Sequence, residues 1–370
     1  EEITSEVYIV MPSKPQFVGE CGRVKLSEIC AKGKSSLRQK DVFNDGPYIV
    51  YGASGVVGTT SDYQNEIPYV AVVKDGAGVG RASACEPMTS VLGTMQALIP
   101  NSNVERDYLL HLVRSLRLGE GFSGSTIPHI YFKDYGRLEV PLPSLEAQKQ
   151  IVSQLGSVEE QIAQAEAQIE QLDQLVKSRF VEMFGDPSLP NGRWRVVRLD
   201  SFTRVITGNT PSRRKPEYYG EGIEWVKTDN IANSVVTTAV EQLTAAGQGK
   251  ARVAPAGSIL MACIAGSVKS IGKVGLLDRE VAFNQQINAI VPEENVDPRF
   301  LLVLLTLSKN YLCSSINMQL KGILNKSSLS AKEFHLPPLE LQQEFAAFAA
   351  QVDKSRFAGQ LSALRLTRYG

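Results

Sequence analysis

Between Ser144 and Gly185 the chain carries one uninterrupted amphipathic repeat, and no other stretch limits the possible folds so tightly. Its apolar positions are Ile151, Leu155, Val158, Ile162, Ala165, Ile169, Leu172 and Val176, and they step by four and three without a miss. That spacing is the heptad seam of a coiled coil. Glu and Gln crowd the flanks (Glu159, Glu160, Gln161, Gln164, Glu166, Gln168, Glu170, Gln171), so a single stripe seeks burial. Pro143 and Ser144 give a start signal with Glu146 in the first turn, and Gly185 before Asp186 and Pro187 gives a stop. Such a helix is a rod of roughly 60 Å. A rod with one narrow apolar stripe needs a partner helix.

The sequence supplies that partner by repeating itself. Val24-Lys25-Leu26-Ser27-Glu28-Ile29 returns as Val197-Arg198-Leu199-Asp200-Ser201-Phe202. Thr94-Met95-Gln96-Ala97-Leu98-Ile99-Pro100 returns as Gln286-Ile287-Asn288-Ala289-Ile290-Val291-Pro292, and the helical run around Leu109 returns around Leu302. The lead-in to the rod, Leu142-Pro143-Ser144-Leu145-Glu146-Ala147-Gln148, returns as Leu336-Pro337-Pro338-Leu339-Glu340-Leu341-Gln342. A second seam follows it at Leu341, Phe345, Phe348 and Val352. The expected order is globule, helix, globule, helix, an α+β chain in which the two helices pack antiparallel as an intramolecular coiled coil with a pseudo-two-fold axis. The expected segments are an extension over 1–19, a first globule over 20–142, the central helix over 143–187, a second globule over 188–335 and a C-terminal helix over 336–370. The last helix is about ten residues shorter than the central one, and Gly359 falls in its seam. On this reading either the C-terminal end has been trimmed, or Val176, Phe180 and Met183 take their cover from another subunit or from the extension.

Composition narrows the class of protein. The chain has 370 residues, 43% of them hydrophobic, which fits two or three globular domains, and no apolar run approaches the length of a membrane span. The first residues lack the basic-then-apolar layout of a secretion signal. Five scattered cysteines without a C-x-x-C pair point to free thiols in a reducing, cytoplasmic setting rather than to disulfides or zinc. Net charge is zero, yet residues 191–335 carry 18 Lys and Arg against 12 Asp and Glu, whereas residues 143–190 carry 3 against 8. An acidic rod beside a basic second globule leaves room for a local nucleic-acid surface.

The intervening surfaces differ where the frame repeats. The second half opens with Thr207-Gly208-Asn209-Thr210-Pro211-Ser212, then Tyr218-Tyr219-Gly220 and Trp225-Val226-Lys227. With the repeated Leu-Pro-x-Leu-Glu-x-Gln lead-in, these motifs resemble the specificity subunits of type I restriction–modification systems, over nearly the whole chain from Val24 onward. The resemblance implies two target-recognition domains, each reading one half of a bipartite site in double-stranded DNA. It implies two coiled-coil helices that set the spacer and dock two methyltransferase (modification) subunits. A restriction (translocase and nuclease) subunit joins through the assembled complex, and the chemistry belongs to these partners. No cofactor is implied for this chain. In keeping with that, the sequence contains no Asn-Pro-Pro-Tyr or Asp-Pro-Pro-Tyr motif and no phosphate-binding Gly-x-x-x-x-Gly-Lys loop. The glycines at 52–58 and 76–80 read as turns. The first half has no counterpart of Trp194.

Candidate DNA contacts follow from cations, hydroxyls and small residues in the corresponding loops. In the second half they are Thr207, Asn209, Thr210, Ser212, Arg213, Arg214, Lys215, Tyr218, Lys227 and Lys321; in the first half, Lys32, Lys34, Ser35, Arg38, Lys40, Lys74, Ser125 and Thr126. The plain alternative is a solvated basic loop. Trp225 and Tyr219 read as packing residues, and His111, His129 and His335 as structural. The repeat and the coiled coil by themselves also fit a non-enzymatic protein-interaction module carrying two ligand-binding domains. The basic residues after Ser212 favour DNA.

Overall fold

The computed structural model describes residues 21–76, 78–120, 128–187, 192–267, 270–314, 316 and 322–369, with the helical backbone alone over 361–369. The extension over 1–19 and the boundary at 188–191 lie outside the described residues. The chain divides into two compact units, one reaching Glu160 and one running from Gln161 to Tyr369.

In the first unit, strands Cys30–Lys32, Met95–Pro100, Tyr69–Val73 and Ala82–Cys85 pair antiparallel in that spatial order. The apolar run at Tyr69–Val73 is buried along its whole length. Val70 and Val72 meet the helix Arg106–Ser115 through Leu109 and Val113, while Tyr69, Ala71 and Val73 meet a smaller core around Val91 and Met95. A strand covered on both faces must read as continuous apolar sequence rather than alternate. Beyond it, Tyr48–Gly52 pairs antiparallel with Gly55–Thr60 and parallel with Ser90–Val91. The unit is closed by Arg23–Lys25 against Glu139–Pro141.

The second unit repeats this topology. Strands Thr203–Thr207, Ile287–Pro292, Ile259–Ala262 and Val274–Leu276 form the antiparallel sheet in the corresponding order. Tyr219–Val226 pairs antiparallel with Gln242–Leu243 and parallel with Val281–Phe283. Arg195–Arg198 against Glu333–Leu336 closes it. The helix Pro298–Leu307 begins at Asp297, whose carboxylate accepts from the Arg299 and Phe300 N–H groups, as Glu105 caps the helix of the first unit.

The repeated lead-in has a structural purpose. Gln148 is fully buried; its Oε1 accepts from Glu105 N–H (2.8 Å) and its Nε2 donates to the carbonyls of Pro143 (2.9 Å) and Asn103 (3.0 Å). Gln342 is equally buried and bonds Asp297 N–H (3.0 Å), Pro337 O (2.8 Å) and Asn295 O (3.3 Å). One amide thus fastens the start of each long helix to the turn that starts the short helix before it.

The central helix spans Leu145–Phe184 and the C-terminal helix Leu339–Tyr369, 40 and 31 residues long. Ser144 Oγ accepts from Ala147 N–H (3.3 Å), and Gly185, at φ +86°, ends the helix with its N–H on Val181 O (2.8 Å). Each seam position from Ile151 to Val176 is buried or half-buried while its neighbours on the outer face are exposed. Ile151 packs on the core of the first unit with Val152. Leu172, Val176, Phe180 and Phe184 pack in the second unit with Phe345, Phe348 and Val352. Within that unit the helices are antiparallel: Phe180 and Phe184 meet Phe345 at ring distances of 5.3 and 5.7 Å, Asp173 ion-pairs with Arg356, and Gly359 faces Ile169.

This geometry corrects one expectation. Val176 and Phe180 are 8% and 1% exposed, and Met183 packs on the same core, so no further subunit is needed to cover them. Antiparallel pairing lays the beginning of the C-terminal helix on the end of the central one, and Phe300 from the Pro298–Leu307 helix stacks on Phe180 at 5.6 Å. A short C-terminal helix therefore cannot leave that end bare. The helix runs unbroken through Gly359, which faces Ile169 without a side chain of its own in the seam.

Candidate nucleic-acid interface

The Thr207–Ser212 segment leaves the sheet at a position where only glycine fits. Gly208 donates to Ile287 O (3.0 Å), and a Cβ there would lie 2.2 Å from Asn284 O. Asn209 then ties the turn to a distant segment, its amide donating to Lys250 O (2.7 Å) and accepting from Arg252 N–H (2.6 Å). Thr210 bonds Gln285 through its hydroxyl, and Tyr219 donates to Pro211 O (2.6 Å). Thr207 is exposed at the strand end. Asn209 and Thr210 are thus committed to holding the loop.

The residues that follow divide into a free set and a held set. Ser212, Arg214 and Lys215 are exposed, and Lys215 Nζ lies 5.4 Å from the half-buried Tyr218 ring. Arg213 instead folds back over Tyr219 (4.2 Å to the ring centre) and Trp225 (5.0 Å) and ion-pairs with Glu241. Lys227 ion-pairs with the same carboxylate and sits 5.2 Å from the Trp225 ring. Glu241 is fixed there because its carbonyl accepts from Trp225 N–H (2.9 Å) beside strand Gln242–Leu243. The Arg213 hydrogen bond, reinforced by Lys227 and opposed by burial, holds the Glu241 carboxyl below its ordinary range. Trp225 is 3% exposed and serves as the floor of this arrangement.

In the first unit Gly33 occupies the place of Gly208: it donates to Ala97 O (2.9 Å), and a Cβ would fall 2.5 Å from Asn65 Oδ1. Buried Asn65 clamps the Lys34 backbone by accepting from its N–H and donating to its carbonyl, both at 3.0 Å, which leaves the Lys34 side chain exposed. Ser35 is half-buried and Lys40 exposed. Arg38 makes a two-point pair with Asp41 (2.9 and 3.1 Å), and that bond lowers the Asp41 carboxyl. Lys32 lies 5.7 Å from the Phe132 ring. Lys74 bonds Thr94 O and Ile130 N–H through its backbone (both 3.0 Å), bringing the 129–133 segment beside it. Ser125, Thr126 and Lys321 lie outside the described residues.

The structure adds residues that sequence reasoning passed over. Lys250 and Arg252 are exposed and reach the Thr-Gly-Asn turn only because Asn209 pins their backbone across some forty residues. Their one signal was a basic pair in the small-residue turn Gly247-Gln248-Gly249-Lys250-Ala251-Arg252. In the first unit Tyr131 is exposed, stacks on His129 at 6.3 Å and lies beneath Lys133 Nζ at 5.3 Å. His129 is anchored to Asp75 (2.6 Å), and the signal in the sequence is the pair of rings Tyr131 and Phe132 set between His129 and Lys133. His335 Nδ1 lies 3.4 Å from Trp194 O, and His111 sits 3.9 Å from Glu159. Among the described residues, no group of three or more His, Cys, Asp or Glu could hold a metal ion. None of the described helices is long and apolar enough to cross a membrane.

A duplicated α+β frame, two seamed helices and unlike basic loops at matching exits from the sheet define a two-domain repeat architecture. The chain belongs to the family of type I restriction modification DNA specificity domains, whose model matches it twice, over residues 20–174 and 191–362. Each match takes in one globule and most of the helix after it. Among curated proteins it is 28% identical over 188 residues to the type I restriction enzyme HindI specificity subunit of Haemophilus influenzae, covering 48% of this chain and 39% of that one. It is 26% identical over 274 residues to the MjaVIII specificity subunit of Methanocaldococcus jannaschii, covering 66% of this chain and 63% of that one. The chain thus matches less than two thirds of the length of these relatives. Its fold is similar to the crystal structure of a type I restriction–modification S subunit from M. genitalium (TM-score 0.58, 14% identity, 96% of each chain). A chain from a study of complex assembly in a type I system gives a TM-score of 0.57 at 19% identity over 94% of each chain.

Proposed function

We propose that this chain is a non-catalytic DNA-specificity subunit of a type I restriction–modification complex. Residues 20–142 and 188–335 each read one half of a bipartite target in double-stranded DNA. The helices over 143–187 and 336–370 set the unread spacer and dock two methyltransferase subunits, through which a restriction subunit joins. The chain works in the cytoplasm and needs no cofactor of its own. The observation that carries this reading is the duplicated frame with different loops at the same exit. Gly33 and Gly208 leave corresponding strands through equally tight turns, yet Lys34-Ser35 follows one and Asn209-Thr210-Pro211-Ser212 the other. One frame with two unlike surfaces suits two unlike half-sites.

The contacts in the second domain are exposed Ser212, Arg214 and Lys215 and half-buried Tyr218, with Lys250 and Arg252 beside them. In the first domain Lys32, Lys34, Lys40 and Lys74 combine with Tyr131 and Lys133. Mapping methylated bases in a genome that carries this chain and its methyltransferase tests the reading: two short half-sites at a fixed spacing are expected, and a single continuous motif would refute it. Six or more phosphate contacts further require affinity to fall about a thousandfold between 50 and 200 mM salt. A salt-independent binding curve would remove the DNA reading.

A further inference from the structure

The ion-pair knot on Trp225 has a use beyond packing. Arg213, in the second domain's basic loop, and Lys227, directly after strand Tyr219–Val226, are both spoken for by one carboxylate. Their side chains are still 54% and 41% exposed, against 26% for Glu241, so the cluster lies at the surface with its cations outermost. The knot is no fold requirement of strand Tyr219–Val226. The neighbouring carboxylate, Glu224, already ties that strand to Arg279 (2.7 and 2.8 Å) and to Ala239 N–H (2.6 Å). Surface ion pairs of this kind add little to stability. The Tyr219 and Trp225 rings, set nearly at right angles, lie 4.2 and 5.0 Å from the Arg213 guanidinium, and Glu241 accepts from its Nη1, so the plane of the fork is held by three partners.

We propose that Glu241 is a positioning residue for specificity: it presets the Arg213 fork for a base edge and cancels one of the two positive charges that would otherwise bind phosphate anywhere. A guanidinium fork reads guanine through two parallel hydrogen bonds, which requires a fixed plane. A free cation contributes to every sequence alike. Glu241 therefore trades indiscriminate attraction for discrimination. This inference rests on the DNA-reading function proposed above and concerns only the half-site read by the second domain.

The test uses the full chain and three duplexes: the target defined by methylation mapping, the target with the second half-site scrambled, and a random sequence. The quantity measured is the ratio of affinities for the first two. For Glu241→Gln that ratio is expected to fall about tenfold, with tighter binding to the random duplex and a steeper salt dependence. Arg213→Lys keeps the charge and loses the fork, so the ratio falls there too while random-duplex affinity holds. Glu241→Asp keeps the charge and retains most of the ratio. An unchanged ratio in Glu241→Gln or in Arg213→Lys overturns the proposal, whichever way the absolute affinities move. A wild-type chain that does not distinguish the first two duplexes refutes the DNA-reading function instead, so the two failures are separable. Thermal unfolding of each variant confirms that the ratio is measured on folded protein.

Discussion

Gln148 and Gln342 sit at the same point of the repeat, 194 positions apart, and each makes three hydrogen bonds at zero exposure. A buried amide with every bond made is stabilising mainly because its loss strands the partners. Gln342→Leu leaves Asp297 N–H and two carbonyls without their buried amide partner, and we expect a loss of about 1–3 kcal/mol in urea unfolding. A loss below half a kilocalorie would mean that water replaces the amide. The Glu224–Arg279 pair gives a pH prediction. Arg279 holds the Glu224 carboxyl below the ordinary glutamate value of about 4.3. A depressed folded-state value means that the unfolded chain takes up its proton first on acidification. The pair's stabilisation is therefore complete above that ordinary value and is lost as pH falls toward the folded value. Unfolding across pH 7 to 3 should show the gap between wild type and Glu224→Gln constant near neutrality and shrinking with acid. A constant gap down to pH 3 would contradict it. These roles were only partly legible in sequence: the repeated Gln was visible as part of a motif, whereas its partners at Asn103, Glu105, Asn295 and Asp297 lie more than forty residues earlier.

At the scale of elements, the central helix was the most legible part of the chain. A four-three alternation fixes one face whatever the neighbours, so the buried stripe from Ile151 to Val176 followed from sequence. What covers its end did not follow, because contacts such as Phe180 with Phe300 and Phe345 join residues more than a hundred positions apart. Phe180→Ala removes a ring that is 1% exposed and touches three other phenylalanines, at an expected cost of about 3–5 kcal/mol in thermal or urea unfolding. Gly359 offers the opposite change. A Cβ there would meet Ile169 Cγ1 at 3.6 Å, an ordinary contact, so Gly359→Ala should raise stability by about 0.5–1 kcal/mol. A lowered melting temperature would show that the seam needs the gap.

At the scale of the whole molecule, the duplicated frame makes a prediction that no single domain could. Each domain has its own sheet and its own core, so replacing the Ser212–Lys215 loop should alter the methylated bases of one half-site only and leave the other half-site and the spacing untouched. Methylation mapping with the variant checks this, and a change in both halves would argue against independent readers. The amino-acid sequence by itself determined the repeat, the seam, the class of fold and the basic loop after Ser212, since periodicity and local turn chemistry are properties of neighbouring residues. Tertiary structure alone decided which cations stay free. Asn209 brings Lys250 and Arg252 to the loop, and Glu241 takes Arg213 and Lys227 out of the free set, because charge pairing depends on distance in space, which a one-dimensional pattern does not contain. The rod finds its partner within the chain, antiparallel as the repeat implied, and the end that the shorter helix was expected to leave bare is buried at Val176, Phe180 and Phe184.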